Sequence, residues 1–117
     1  MDGSDAQAIF SALAQPTRLA ALRLLVSRGP GGVAAGELAA LVDVPQNTLS
    51  AHLAVLARAG LVSGERRGRM IRYRAEVERL RAVGRFLLDD CCGGRPGLCA
   101  PASPLSTPPT SEASGYV

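Results

Sequence analysis

The sequence predicts a mainly α-helical fold carrying one β-hairpin, and three observations predict it. Apolar residues recur at helical spacing from Ile9 to Leu56. The period then changes: Met70-Ile71-Arg72-Tyr73-Arg74 alternates apolar residues with Arg, and Gly68 separates it from an earlier extended run, Leu61-Val62-Ser63. Helical spacing returns from Val77. The chain has 117 residues, enough for one small domain, and is 47% hydrophobic but only 3% aromatic, so Leu, Val, Ile and Ala must build its core. Small domains bury a modest share of their surface, which is a reason to expect a core shared with a second subunit.

The first helix is expected over Ala6 to Ala14, with Ile9, Phe10 and Leu13 at helical spacing. Pro16 suits the first turn of a second helix, Thr17 to Ser27, with Leu19, Leu22 and Val26 on one face. Arg28 to Gly32, RGPGG, ends it. A short helix follows from Ala35 to Leu41, then a tight turn at Val42-Asp43-Val44-Pro45. Gln46 to Ala59 is the next helix, with Leu49, Leu53 and Leu56 inward and Gly60 as its cap. The hairpin comes next, and the last helix carries Val77, Leu80, Val83, Gly84, Leu87 and Leu88 until Gly93-Gly94 stops it. Helix, helix, helix-turn-helix, hairpin, helix is the order of a winged helix-turn-helix. Residues 1–92 form that domain, residues 91–99 hold every cysteine, and residues 100–117, rich in Pro, Ser and Thr, are expected to be a disordered tail.

A nucleic-acid surface is legible in two places. With three leucines inward, Gln46, Asn47, Thr48, Ser50 and Ala51 lie on the start of their helix where it can meet base edges. Gln and Asn can pair bidentately with adenine, Ser bonds either way, and small side chains permit close approach to the major groove. From Arg58 to Arg85 nine Arg stand against three Glu. Arg66, Arg67 and Arg69 flank the hairpin turn, where they can reach phosphates or a minor groove. The whole-chain charge of +3 agrees with an anionic partner without requiring one. His52, the sole histidine, sits close to the inward face and is expected to be a partly buried hydrogen-bonding residue rather than a metal ligand.

The acidic start MDGSDAQ lacks the basic region of an export signal, and the best apolar run, Leu19 to Val26, is broken by Arg23 and too short to cross a bilayer. A cytoplasmic protein with reduced thiols and no membrane partner is therefore expected. No C-x-x-C motif, phosphate loop or paired nucleophile and base supports an enzyme.

The segments ALAQPTRLAALRLL and VAAGELAALVDVPQNTLSAHLAVLARAGLVSGERRGRMIRYRA resemble the ArsR/SmtB family of bacterial metal-responsive repressors. The resemblance runs from about Ile9 to Cys99, and LSAHLAVLARAGLV with the Arg-rich hairpin behind it is its most specific part. It implies a homodimer on an inverted-repeat operator in double-stranded DNA, repressing until a metal ion binds. It also implies that the first and last helices hold the dimer, here through Ile9 and Leu13 and through Leu80, Val83, Gly84 and Leu87. One family sensing site places thiols in the first helix of the DNA-binding motif; this chain has Ala39 and Leu41 there. Another uses Asp and His on the last helix, but Val77 to Asp90 contains no His.

What remains is Asp89 to Cys99, DDCCGGRPGLC, which looks like the C-terminal site of arsenic-responsive members. Cys91 and Cys92 are neighbours, with Cα atoms about 3.8 Å apart and side chains diverging by roughly 100° in a regular helix. Gly93-Gly94 frees the last turn, and the Gly- and Pro-containing link can bring Cys99 back to the pair. Three soft thiolates without a histidine suit As(III), and Sb(III) equally. Asp89 or Asp90 would give zinc, cadmium or lead a fourth ligand, and a redox switch, a structural metal clip or an incidental cluster of thiols are the other readings. No organic cofactor is expected.

Overall fold

The computed structural model describes residues 1–90. The compact body runs from Met1 to Gly84, and a second unit begins at Arg85. Helix α1 spans Gly3–Leu13. It opens on a reciprocal cap: the Asp5 backbone N–H donates to Asp2 Oδ1 at 2.8 Å, and the Asp2 N–H donates to Asp5 Oδ2 at 3.3 Å. Helix α2, Pro16–Arg28, has proline at its first position and the Gln15 side chain as its cap, accepting from the Arg18 N–H at 2.8 Å. It stops at Gly29, whose φ of 79° suits only glycine comfortably.

Helices α3 (Ala35–Val42) and α4 (Gln46–Arg58) make the helix-turn-helix. Asp43 takes the left-handed conformation between them, φ 61°, and its N–H closes back on Ala39 and Ala40. Leu49, Leu53 and Leu56 of α4 are fully buried, and Leu25, Leu38, Leu61 and Val33 complete the core around them. Burying each such side chain contributes about 1.5–3 kcal/mol.

The sheet has three antiparallel strands in the order β1-β3-β2: β1 is Val33–Ala34, β2 Val62–Arg67 and β3 Met70–Ala75. Sequence reading ended β2 at Ser63. The ladder instead continues through Gly64↔Tyr73, Glu65↔Arg72, Arg66↔Ile71 and Arg67↔Met70 up to the turn. It also missed β1, which pairs Val33 with Tyr73 and Ala34 with Arg72. Helix α5 spans Val77–Asp90.

Two assignments of faces change. On α2 the core side is Ala21, Leu22 and Leu25, while Leu19 and Val26 are 41% and 42% exposed. Ile9 and Val83, expected at a subunit interface, are 0% and 7% exposed within this chain and belong to its own core. Of the other residues expected there, Leu13, Leu80 and Gly84 are half-buried and Leu87 is exposed.

Candidate nucleic-acid interface

The burial of Leu49, Leu53 and Leu56 turns the opposite side of α4 to solvent. Gln46, Asn47, Thr48, Ser50 and Ala51 are all exposed on its first two turns, as their spacing predicts. Pro45 precedes α4 and provides no side-chain cap. Asn47 Oδ1 instead accepts the Thr48 N–H at 2.9 Å, so reading a base with that oxygen costs this local bond. Gln46 lies across α3, where its Oε1 is 3.4 Å from the place a side chain on Gly36 would begin.

The wing reaches the same side. Residues paired directly across an antiparallel ladder share a face. Arg66 therefore lies on the face of Ile71 and Tyr73, and Arg67 lies on the other with Glu65 and Arg72. Ile71 and Tyr73 line a cleft of about 400 Å³ together with Gln46, Ser50 and Arg69, so the first turns of α4 and the wing border one concave surface. Gly68, φ 63°, makes the turn with open space around it. Arg66, Arg67, Arg69 and Met70 are exposed at the tip.

The nine arginines of this region do not act alike. Arg72 anchors the sheet, donating from Nε to Gly31 O at 3.1 Å and from Nη2 to Gly32 O at 3.0 Å. Arg79 donates to Ala59 O at 3.1 Å and pairs with Asp5 at 3.6 Å, tying α5 to α4 and α1. Arg74 pairs with Glu76, and Arg81 with Glu78. Arg67 pairs with Glu65 at 3.3 Å in an exposed contact, which is worth about 0–1 kcal/mol. Arg58, Arg66, Arg69 and Arg85 form no ion pair among the described residues. Sequence reading missed the anchoring role of Arg72. Its partners lie about 40 positions away in a glycine run whose carbonyls no side-chain pattern announces.

His52 is half-buried and its Nδ1 lies 3.3 Å from Arg18 Nη1, in keeping with the hydrogen-bonding role read from the sequence. Among the described residues no cluster of three His, Cys, Asp or Glu side chains is placed to hold a metal ion. Cys91, Cys92 and Cys99, and the tail at residues 100–117, lie outside the described residues. No single described helix is long and apolar enough to cross a membrane.

Comparison with known proteins agrees with this geometry. The profile of a helix-turn-helix domain family matches residues 13–65. Over 67 residues the chain is 42% identical to the HTH-type transcriptional repressor SmtB of Mycobacterium tuberculosis, a stretch covering 56% of this chain and 47% of that one. The chain spans about half the length of this and another curated relative it matches, the biofilm growth-associated repressor of Agrobacterium fabrum. Among solved structures, an ArsR-like transcriptional regulator from Rhodococcus superposes with a TM-score of 0.67 at 31% identity, over 77% of this chain and 82% of that one. A homodimeric winged helix-turn-helix DNA-binding domain from Mycobacterium bovis, a possible ArsR-family regulator solved in solution, superposes at 0.59 with 29% identity, over 79% and 85%.

Proposed function

Because the chain belongs to the ArsR/SmtB family of winged helix-turn-helix regulators, we propose that it is a cytoplasmic transcriptional repressor. It binds an inverted-repeat operator as a homodimer and leaves it when As(III), or Sb(III), engages Cys91, Cys92 and Cys99. One observation carries the DNA-binding half of this reading. Gln46 and Ser50 of α4 and Arg69 of the wing border a single cleft, so base-reading and phosphate-binding groups face the same way. The α4 helix enters the major groove, where Gln46, Asn47 and Ser50 meet base edges. Arg66 and Arg69 meet the backbone beside it, with guanidinium groups that no carboxylate neutralises among the described residues. The homodimeric M. bovis relative supports two such units per operator.

The inducer half rests on donor chemistry. Three thiols and no histidine give a soft, three-donor set, which suits trivalent arsenic better than zinc with its usual four ligands. Coupling between the two sites is reciprocal: whatever factor the inducer takes from operator affinity, the operator takes from inducer affinity. A tenfold effect corresponds to about 1.4 kcal/mol.

The test is fluorescence anisotropy of the reduced protein on a duplex from upstream of its own gene, titrated with arsenite and, separately, zinc. Release by arsenite alone supports the whole reading. Release by zinc, cadmium or lead alone, or only after oxidation of the thiols, replaces the inducer and keeps the repressor. A protein with no preference for that duplex over unrelated DNA is not a specific repressor of that operator.

A further inference from the structure

Among the described residues, Arg18 is the α2 side chain whose hydrogen bonds reach both the first helix and the reading helix. Its Nε donates to Ala12 O, near the end of α1, at 2.7 Å, while its Nη1 lies 3.3 Å from His52 Nδ1 on α4. The Arg18 backbone N–H is itself held by Gln15 Oε1 at 2.8 Å, which fixes the residue's main chain in the first turn of α2. His52 directly follows Ala51, and Gln46, Asn47, Thr48, Ser50 and Ala51 are the residues assigned to the groove.

The chemistry of this contact is directional. A guanidinium is always protonated and only donates. Nδ1 must therefore be the acceptor, which requires a neutral ring with its proton on Nε2. Protonating the ring removes the acceptor and sets a second cation at hydrogen-bond distance from the first. Elements packed against α4 carry other charged groups: Asp5 on α1, Arg23 and Arg28 on α2, Glu37 on α3, and Glu65, Arg66 and Arg67 on β2. Asp5 is paired with Arg79, Glu37 with Arg28 and Glu65 with Arg67. Arg18 is the charged group hydrogen-bonded to His52 among the described residues.

We propose that Arg18 and His52 form a clasp that positions α4 for DNA, closed only while His52 is neutral. Both are positioning residues, acting through the pose of Gln46 to Ala51 rather than by touching DNA. The inference rests on the DNA-binding reading above and adds a pH dependence to it. The sign is discriminating. A histidine acting simply as a charge near DNA strengthens binding when protonated. The clasp predicts the reverse: operator affinity falls when the His52 ring takes up a proton.

The variants are His52→Asn, which keeps an acceptor near the Nδ1 position but does not titrate, and Arg18→Met. Wild-type affinity for the upstream duplex, followed from pH 7.5 to 5.5, is expected to fall about fivefold in step with protonation of the ring seen by NMR, the scale of one lost hydrogen bond. His52→Asn is expected to bind nearly as well as wild type at pH 7.5 and to lose much less on acidification. Arg18→Met is expected to bind weakly at both pH values. A second arm needs no DNA. His52 is the only histidine, so its ring nitrogens are unambiguous in 15N NMR of the full chain. The neutral ring is expected to carry its proton on Nε2, and the amide shifts of residues 46–51 to follow its titration in wild type but not in Arg18→Met. A proton on Nδ1, amide shifts indifferent to the ring, or equal pH profiles for wild type and His52→Asn would overturn the clasp. If wild type binds no DNA, the repressor reading fails and the NMR arm alone decides the clasp.

Discussion

Glu65 sets how much of the wing's charge is free for a phosphate. Its carboxylate holds Arg67 on one face of the hairpin, while Arg66 shares the other face with Ile71 and Tyr73, and Arg69 leaves the turn toward the cleft. Sequence spacing treats the three arginines as equals, and the ladder register separates them. Arg66→Ala and Arg69→Ala are expected to weaken operator binding more than Arg67→Ala. Each is expected to reduce the slope of log affinity against log salt by about one, measured by anisotropy across a salt series. Equal effects from all three would mean that the register does not govern access to the backbone. The exposed start of α4 was legible because three leucines at helical spacing fix which side turns inward. The partner of His52 was not, because Arg18 lies 34 positions earlier and only folding brings the two together.

At the scale of elements, periodicity located each described helix and the hairpin but could not choose faces where apolar residues crowd. Leu19 to Val26 offers two overlapping stripes, and only packing against the rest of the fold, β3 and α4 foremost, selects Ala21, Leu22 and Leu25. Strand β1 is two residues long, too short for any alternation to appear. It exists because Arg72 and the β3 ladder hold the chain beside it. Gly32 leads into it with φ 76°, and a Cβ there would fall 2.5 Å from the Tyr73 carbonyl oxygen. That neighbour is backbone and cannot swing away. Gly68 has a similar φ, 63°, but open space. Gly68→Ala is expected to cost about 1 kcal/mol from conformation alone. Gly32→Ala, which adds the clash, is expected to cost about 3 kcal/mol or more. Urea denaturation of the two variants measures the difference. Equal losses would show that the β1 junction yields easily.

The whole molecule presents apolar surface that a single chain leaves uncovered: Phe10 on α1 is 44% exposed, beside a fully buried Ile9. A homodimer resting partly on the first helix therefore has Phe10, not Ile9, to offer its partner. Phe10→Glu is expected to shift sedimentation equilibrium toward monomer and to weaken operator binding, because two α4 helices no longer arrive together. The same separation of parts bears on the proposed response to arsenic. In the sequence Cys91 and Cys92 come just after Asp90, the described end of α5, and Cys99 follows later, all of them beyond the arginines of the wing. If thiols sense and arginines hold DNA, the two functions divide under mutation. Cys99→Ser is expected to keep operator affinity within about twofold and to lose most of the arsenite-driven release, since two sulfurs cannot complete a three-sulfur set. Arg66→Ala is expected to weaken DNA binding while leaving arsenite affinity, read from the thiolate-to-arsenic ultraviolet absorbance of the DNA-free protein, unchanged. Reciprocity adds a stricter demand: saturating operator must lower arsenite affinity in wild type by the factor by which arsenite lowers operator affinity, and in Cys99→Ser both factors must shrink together. A variant that lost one and kept the other would place the inducer at a site other than the three thiols.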